Sequence, residues 1–237
     1  MSETINLKDI QSKLYEKLKP SGWADKLKGF LLSEDFYKIL EALLKEAQDN
    51  KRFTPPLKQV FRAFEECPYN ELMVVIVGQD PYPYPGVADG LAFSCSNDKK
   101  IQASLRYIFK DIETNIYPEQ GYTWDPDLAR WSKQGVLMLN SAFTTTINKV
   151  GQHYQLWQPF MAYLLDTLAF SNPGLIYVFM GKKAQDWMKS IPSNNFKLTC
   201  THPAFAAHMN LETWDSENIF GRINHLTKKH YGKDIKW

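Results

Sequence analysis

Three polar side chains capable of chemistry each follow an apolar stretch of the sequence. They are a carboxylate, Asp80, on a turn that Pro81 stiffens; an amide, Asn140, which can donate to and accept from a pyrimidine edge; and an imidazole, His202. Each also has an ordinary interpretation: Asp80 as a turn cap, and Asn140 and His202 as hydrogen-bonded loop residues. Their significance therefore depends on whether the fold brings them together.

The apolar stretches are typical of buried parallel strands. Residues 72–77 read LMVVIV and stop at Gly78, and residues 136–139, 175–180 and 197–201 are similar. Helical spacing lies between them, with Ser33 predicted to cap a helix running to about residue 50, Pro159 predicted at a first helical position, and a last helix over 215–230. This alternation predicts an α/β fold with a mainly parallel sheet, whose ligand site lies beyond the carboxyl ends of its strands.

The composition is that of a globular protein in one domain. Hydrophobic residues make up 44% of the 237 residues, and the net charge of +2 is too small to indicate nucleic acid binding by itself. We expect one domain over residues 1–237, with the first 20 or so forming a loosely packed extension. The three cysteines have no CxxC spacing, which argues against a disulfide framework or a thiolate zinc site.

Targeting and nucleotide-loop signals are not readable. The N-terminal residues carry early acidic groups without an apolar signal core, and no run approaches the roughly 20 apolar residues of a membrane helix. We therefore expect a cytoplasmic protein with no membrane partner. The loop after Gly78 lacks the GK[ST] ending of a nucleotide-binding loop, which excludes that interpretation.

Taken together, the motifs resemble those of the family 1 uracil-DNA glycosylases. GQDPY (residues 78–82), GLAFS (90–94), LMLN (137–140), GKKAQ (181–185) and the His202-Pro203 pair occur in the order and spacing of that family. The resemblance extends from about Trp23 to the end of the chain. It implies a single α/β domain with a four-stranded, mainly parallel sheet flanked by helices.

The resemblance also implies a reaction. The protein would be a monofunctional base excision repair glycosylase, which flips deoxyuridine out of DNA and hydrolyses its N-glycosidic bond. Asp80 would stabilise the sugar cation and orient water, and His202, as a neutral donor, would bind O2 of the departing uracil anion. No metal or organic cofactor is implied.

Four residues would bind the base. By resemblance, Phe93 would stack on uracil, Asn140 would bond its N3 and O4 edge, Tyr82 would exclude the thymine methyl at C5, and Gln79 would add backbone contact. The implied partner is uracil-containing DNA, single- or double-stranded, with a proteinaceous inhibitor or a polymerase as further candidates. We expect a monomer.

DNA contacts would come from two loops. Ser104 matches a backbone-contacting serine at a helix N-terminus, and a plain N-cap role is an alternative that is compatible with this one. The loop after His202 comprises Pro203, Ala204, Phe205 and Ala206, where the family has HPSPLS with a leucine wedge. We hypothesise that Phe205 is the wedge; alternatively, it packs inward.

Two further departures concern the first loop. Pro83 stands where the family has a histidine that helps to hold the attacking water. Either Asp80 holds the water alone or another group substitutes, with His153 and His208 as candidates. Asp89 is expected to add negative charge near the DNA face. Lys182 and Lys183 either add charge near the site or form a solvated face.

Two other functions remain open at this point. One is a catalytically weakened homologue that acts as a DNA-binding or replication-accessory protein, and the other is a glycosylase for another modified base. Retention of Asp80, Tyr82, Phe93, Asn140 and His202 favours the uracil enzyme.

Overall fold

The computed structural model describes residues 6–49, 52–98 and 100–237. The strands are β1 (Phe53–Thr54), β2 (Val74–Gly78), β3 (Val136–Asn140), β4 (Thr145–Thr146), β5 (Ile176–Met180) and β6 (Phe196–Cys200). The helices of the N-terminal half are α1 (Leu7–Lys17), α2 (Ala24–Leu31), α3 (Glu34–Gln48), α4 (Arg62–Glu66) and α5 (Ala103–Asn115). Those of the C-terminal half are α6 (Ala129–Ser132), α7 (Tyr154–Ser171), α8 (Lys182–Gln185), α9 (Pro203–His208) and α10 (Ile219–Tyr231).

The central sheet contains four parallel strands in the order β3-β2-β5-β6. The chain moves outward from β2 to β3 and then crosses to β5 on the other side, so the strand order reverses between β2 and β5. In open α/β sheets this reversal creates a crevice beyond the carboxyl ends of the strands. β1 and β4 pair separately as a short antiparallel ribbon.

Helices cover both faces of the sheet, which is why β2, β3 and β5 are almost entirely apolar, whereas the edge strand β6 is only partly buried. Alternate strand residues such as Val75, Val77 and Phe179 pack in one cluster with α1, α2, α3 and α7. Their neighbours, such as Ile76 and Val178, pack in a second cluster with α5 and α10. A sheet buried on both faces shows no polar alternation along its strands. The predicted fold class is confirmed.

The predicted strands agree with the structure to within two residues at each end, and the helix boundaries differ more. Ser33 is the N-cap of α3 and accepts from the backbone N–H of Phe36, as predicted. The helix ends at Gln48, and residue 50 lies outside the described residues. The last helix begins at Ile219, because Asn218 before it has a left-handed backbone conformation.

Pro159 is not at a first helical position, so that prediction was wrong. It lies inside α7, which begins five residues earlier at Tyr154. A proline there leaves the carbonyl of Gln155 without its helical donor. Gln155 and Pro159 are both exposed, so water can satisfy that carbonyl.

The prediction of a loosely packed N-terminal extension was wrong for the described part of that segment. Leu7 and Leu18 are buried in the core, and α1 packs on α2 and α3. The buried Gln11 side chain donates to the carbonyls of Leu31 and Ser33. These contacts make α1 part of the packed structure. No helix among the described residues combines the length and apolar character that crossing a membrane requires.

Candidate active site

A cleft of about 400 Å³ lies at the carboxyl ends of the parallel strands. Its lining includes eight of the eleven residues singled out from the sequence: Gln79, Asp80, Tyr82, Phe93, Ser104, Asn140, His202 and Ala204. The other three, Pro203, Phe205 and Ala206, lie on α9 outside this lining. Residues far apart in the chain therefore meet in a space large enough for a small organic group.

Asp80 is half-buried and holds a hydrogen bond on each carboxylate oxygen. Its Oδ2 accepts from the backbone N–H of Gly151 at 2.8 Å, and its Oδ1 accepts from the phenol of Tyr154 at 3.2 Å. Burial raises the pKa of Asp80, whereas both hydrogen bonds lower it. The carboxylate is thus held in one orientation at the end of β2.

Asn140 and Phe93 approach the backbone of Gly78 closely. Gly78 and Asn140 are paired across β2 and β3. A Cβ on Gly78 would lie 2.7 Å from Oδ1 of Asn140 and 3.3 Å from Cζ of Phe93, so any larger residue there would displace the Asn140 amide. Phe93 has a positive φ of 66°, which is unfavourable for a bulky residue and common at functional sites. An aromatic ring and an amide thus share the floor of the cleft.

Tyr82 and Phe93 are also joined directly. The phenol of Tyr82 donates to the carbonyl of Phe93 at 3.0 Å, and burial raises the pKa of Tyr82 well above its usual value. The phenol remains protonated at neutral pH and keeps its donor role. This bond fixes the Tyr82 ring at the cleft wall.

His202 is held as a neutral imidazole with a defined tautomer. Burial, and to a lesser extent electrostatic interaction with His208, lowers the pKa of His202 to about 4. Its Nδ1 accepts a hydrogen bond from the backbone N–H of Ala204 at 3.1 Å, so the proton is on Nε2. The ring of Phe93 lies 5.5 Å away. His202 can therefore donate from Nε2 without carrying charge.

One side of the α9 helix is buried in the core and the other is exposed to solvent. Pro203 and Ala206 are buried, whereas Phe205 is exposed, so the alternative in which Phe205 packs inward is wrong. Ala206 cannot reach a ligand, because its methyl group packs in the core.

Ser104 is the second residue of α5, after the N-cap Gln102, which excludes a plain N-cap role for Ser104.

The structure corrects the sequence interpretation of Asp89. This residue is fully buried, and its Oδ2 lies 2.9 Å from the guanidinium of Arg62. It also accepts from the hydroxyls of Ser94 and Ser96 and from the backbone N–H of Leu91. Asp89 is therefore a structural anchor of the loop and not a charge on the DNA face.

Only one of the two histidines proposed to replace the one missing at Pro83 reaches the cleft. His153 is buried elsewhere, between Thr144 at 2.8 Å and Glu46 at 2.8 Å. His208 does line the cleft, as does Pro83 itself, whose carbonyl accepts from the backbone N–H of Asn148. The proposal that His153 holds water is therefore wrong.

Sequence reasoning missed Gly151 and Tyr154, the two partners of Asp80. They lie 71 and 74 residues from Asp80, in a loop and a helix start that no motif marks.

Lys182 and Lys183 are exposed at the start of α8, and Nζ of Lys183 lies 5.9 Å from the Tyr154 ring centroid. Among residues 6–49, 52–98 and 100–237, no three His, Cys, Asp or Glu side chains form a group that could hold a metal ion.

Comparisons with known proteins agree with this geometry. A family model described as the Uracil DNA glycosylase superfamily matches residues 64–226. The uracil-DNA glycosylase of Acinetobacter baumannii strain SDF is 32% identical over 96% of this chain and 95% of its own. Uracil-DNA glycosylase 1 of Listeria monocytogenes is also 32% identical, over 91% of this chain and 96% of its own.

Solved structures give the same result. The crystal structure of mimivirus uracil-DNA glycosylase superposes with a TM-score of 0.83 at 27% identity, covering 98% of this chain and 89% of that one. A variant of the mimivirus protein in complex with UGI superposes with a TM-score of 0.81 at 27% identity, covering 92% of this chain and 88% of that one.

Proposed function

Because this chain belongs to the uracil-DNA glycosylase superfamily, we propose that it hydrolyses the N-glycosidic bond of deoxyuridine in DNA. The products are free uracil and an abasic site, as in base excision repair. The observation that carries the proposal is that Asp80 and His202 line one cleft with Tyr82, Phe93 and Asn140. That set supplies a carboxylate, a neutral donor, two aromatic rings and an amide.

Base recognition follows from the shape and polarity of the cleft. The ring of Phe93 offers a face for stacking, and the Asn140 amide can both donate to and accept from the N3 and O4 edge of uracil. Tyr82 is anchored through its phenol, so its ring resists displacement by a methyl group at C5. Gln79, which also lines the cleft, contributes backbone contact to the base.

Bond cleavage places positive charge on the sugar and negative charge on uracil. The Asp80 carboxylate stabilises the sugar cation and orients the attacking water. The His202 imidazole donates from Nε2 to O2 of the departing anion, and a preorganised donor of this kind contributes roughly 3 kcal/mol. The low pKa of His202 supports this role, because the imidazole is neutral at physiological pH.

DNA binding is assigned to the two helix starts beside the cleft. Ser104, at the N-terminus of α5, lies where the helix dipole favours a phosphate. In the segment formed by Pro203, Ala204, Phe205 and Ala206, the buried residues hold α9 in place. Phe205 is the exposed apolar side chain, and we assign it the role of the wedge that fills the space left by the flipped nucleotide.

Protein partners are a separate part of the proposal. A mimivirus homologue has been solved in complex with UGI, and the shared fold makes a proteinaceous inhibitor a candidate partner here. A polymerase partner, a monomeric state and a cytoplasmic location remain predictions from the sequence.

The test is incubation of the purified protein with single- and double-stranded oligonucleotides that each carry one deoxyuridine. We expect release of free uracil and formation of alkali-labile sites from both. Asp80→Asn should lower the rate by about a thousandfold or more, because it removes the charge that stabilises the cation. Binding without uracil release by the wild-type protein would contradict the proposal and favour a DNA-binding accessory role.

A further inference from the structure

We propose that Tyr154 is a positioning residue that, together with the backbone N–H of Gly151, orients the Asp80 carboxylate for the attack of water. This inference rests on the uracil-DNA glycosylase function proposed above. Pro83 has neither a side-chain donor nor a backbone N–H, so the position after Tyr82 cannot supply the hydrogen bond that a histidine would. The donors to Asp80 come instead from Gly151, in the loop before α7, and from Tyr154, the first residue of α7.

The two donors occupy different oxygens of Asp80. The phenol of Tyr154 donates to Oδ1 at 3.2 Å, and the backbone N–H of Gly151 donates to Oδ2 at 2.8 Å. A carboxylate held at both oxygens cannot rotate about its Cβ–Cγ bond without losing one of them. Each oxygen retains further lone-pair capacity for a water proton. The pair thus orients the carboxylate and leaves it able to act.

Gly151 also makes room for the Tyr154 ring. It has a φ of +74°, and a Cβ at this position would lie 2.8 Å from Cε2 of Tyr154. Any larger residue would push the ring away or distort the turn. The backbone donor and the phenolic donor therefore depend on the same glycine.

The hydrogen bonds also partly offset the rise in the pKa of Asp80 that burial causes. Burial raises its pKa, and the bonds from Gly151 and Tyr154 lower it. The phenol retains its proton throughout the neutral range, because burial and the nearby carboxylate raise the pKa of Tyr154 far above its usual value. The other titratable groups lining the cleft are Tyr82, Tyr84, His202 and His208, and Nζ of Lys183 lies 5.9 Å from the centroid of the Tyr154 ring.

The decisive variant is Tyr154→Phe, which keeps the ring and removes the donor. Asp80 must be ionised to act, so activity falls at pH values below its pKa and gives the pH profile an acidic limb. Loss of a hydrogen bond to the charged form raises this pKa and moves the acidic limb to higher pH. We expect the acidic limb of the plot of kcat against pH to shift to higher pH by about one unit. We also expect kcat to fall about tenfold, with KM changed less than about twofold.

Tyr163→Phe is the matched control. Tyr163 lies on the same helix, and its phenol donates to the carbonyl of Lys26 at 3.3 Å, away from the cleft. The control should retain the wild-type pH profile. Gly151→Ala should reproduce the Tyr154→Phe shift, with circular dichroism and thermal unfolding used to confirm that it folds.

A second measurement separates this inference from the proposed function. The pKa of Asp80 is measured without substrate, by carbon NMR titration of the labelled carboxylates, with Asp80→Asn used for assignment. We expect a higher Asp80 pKa in Tyr154→Phe than in the wild type or Tyr163→Phe. An unchanged pKa overturns the positioning role even if uracil is released. Conversely, a shifted pKa in a protein that releases no uracil retains the contact and rejects the function.

Discussion

Phe205 and Ala206 are adjacent in α9 but have opposite environments: Phe205 is 55% exposed and Ala206 is 1% exposed. The family pattern has its wedge leucine at the position of Ala206. Because the Ala206 methyl group is enclosed by the core, any wedge on this helix must come from a neighbouring residue. The exposed ring of Phe205 meets that requirement.

Phe205→Ala is therefore expected to reduce uracil release from duplex DNA by about tenfold, because filling the space left by the base favours the flipped state. Release from single-stranded DNA should change by less than about twofold, since no stack is interrupted there. The measurement is the single-turnover rate on both substrates. Phe170→Ala is the control, because Phe170 is also exposed but lies at the far end of α7. Equal effects on both substrates would reject the wedge.

Pro83→His should raise the rate if the positioning of water limits it. The imidazole would join the cleft beside Asp80 and add a donor and acceptor for the water, so we expect kcat to increase about tenfold. The gain should be larger in a Tyr154→Phe background, because the two side chains would then compensate for one another.

Pro85→His is the matched control for that substitution. Pro85 is exposed on the same loop and does not line the cleft. Rates for the wild type, the two single variants Pro83→His and Tyr154→Phe, the double variant and the Pro85→His control are compared at saturating substrate. A rate for Pro83→His at or below the wild-type value would show that the existing arrangement already holds the water.

His202 predicts how stability depends on pH. The folded protein protonates this imidazole only near pH 4, whereas the unfolded chain does so near its ordinary pKa of 6.5. The unfolded state therefore binds more protons between these values, and the free energy of unfolding falls as pH drops from about 6.5 to 4. Above pH 6.5 the imidazole is neutral in both states, so the stability lost on acidification is fully present there. This pH-dependent part of the free energy of unfolding is at most about 3 kcal/mol.

Urea unfolding of the wild type and of His202→Gln at pH 7.5 and at pH 4.5 measures this contribution. The wild type should lose more stability on acidification than the variant, since glutamine does not titrate. Equal losses in the two proteins would mean that His202 is not kept neutral by the fold.

The contact between Arg62 and Asp89 makes a prediction about folding and another about binding. Asp89 is buried with its charge compensated by Arg62, so Asp89→Asn should lower the free energy of unfolding by about 3 kcal/mol. The exposed Glu71–Lys233 pair is the control, and Glu71→Gln should cost less than about 1 kcal/mol. Asp89→Asn should not tighten DNA binding, as measured by fluorescence anisotropy. Tighter binding would restore the sequence-based view of Asp89.

The sequence predicted the features that depend on local pattern. Strands buried on both faces appear as short apolar runs, and in a parallel sheet the residues that follow them share one edge, which brought Asp80, Asn140 and His202 together. The roles proposed for these residues came from the resemblance. The structure adds that their side chains line one cleft.

The features that were missed depend on pairing between distant segments. Tyr154 lies 74 residues from Asp80, and Pro159 suggested that its helix began later than it does. Asp89 was expected to be a surface charge because its partner Arg62 belongs to α4, which the sequence pattern did not predict. In both cases a polar group acquired its role from a contact that residue spacing does not encode.

The loop that carries GQDPY and GLAFS is fastened near both of its ends. Asp80 binds Gly151 and Tyr154 at and just before the start of α7, and Asp89 binds Arg62. The Tyr82 phenol ties the first part of the loop to the backbone of Phe93. Segments that become ordered only when a ligand binds lose conformational entropy at that step, which weakens affinity. Here these contacts already order the loop in the folded protein. In the proposed reaction, a base entering the cleft therefore meets walls that are already in place, and less of its binding energy is lost in ordering them.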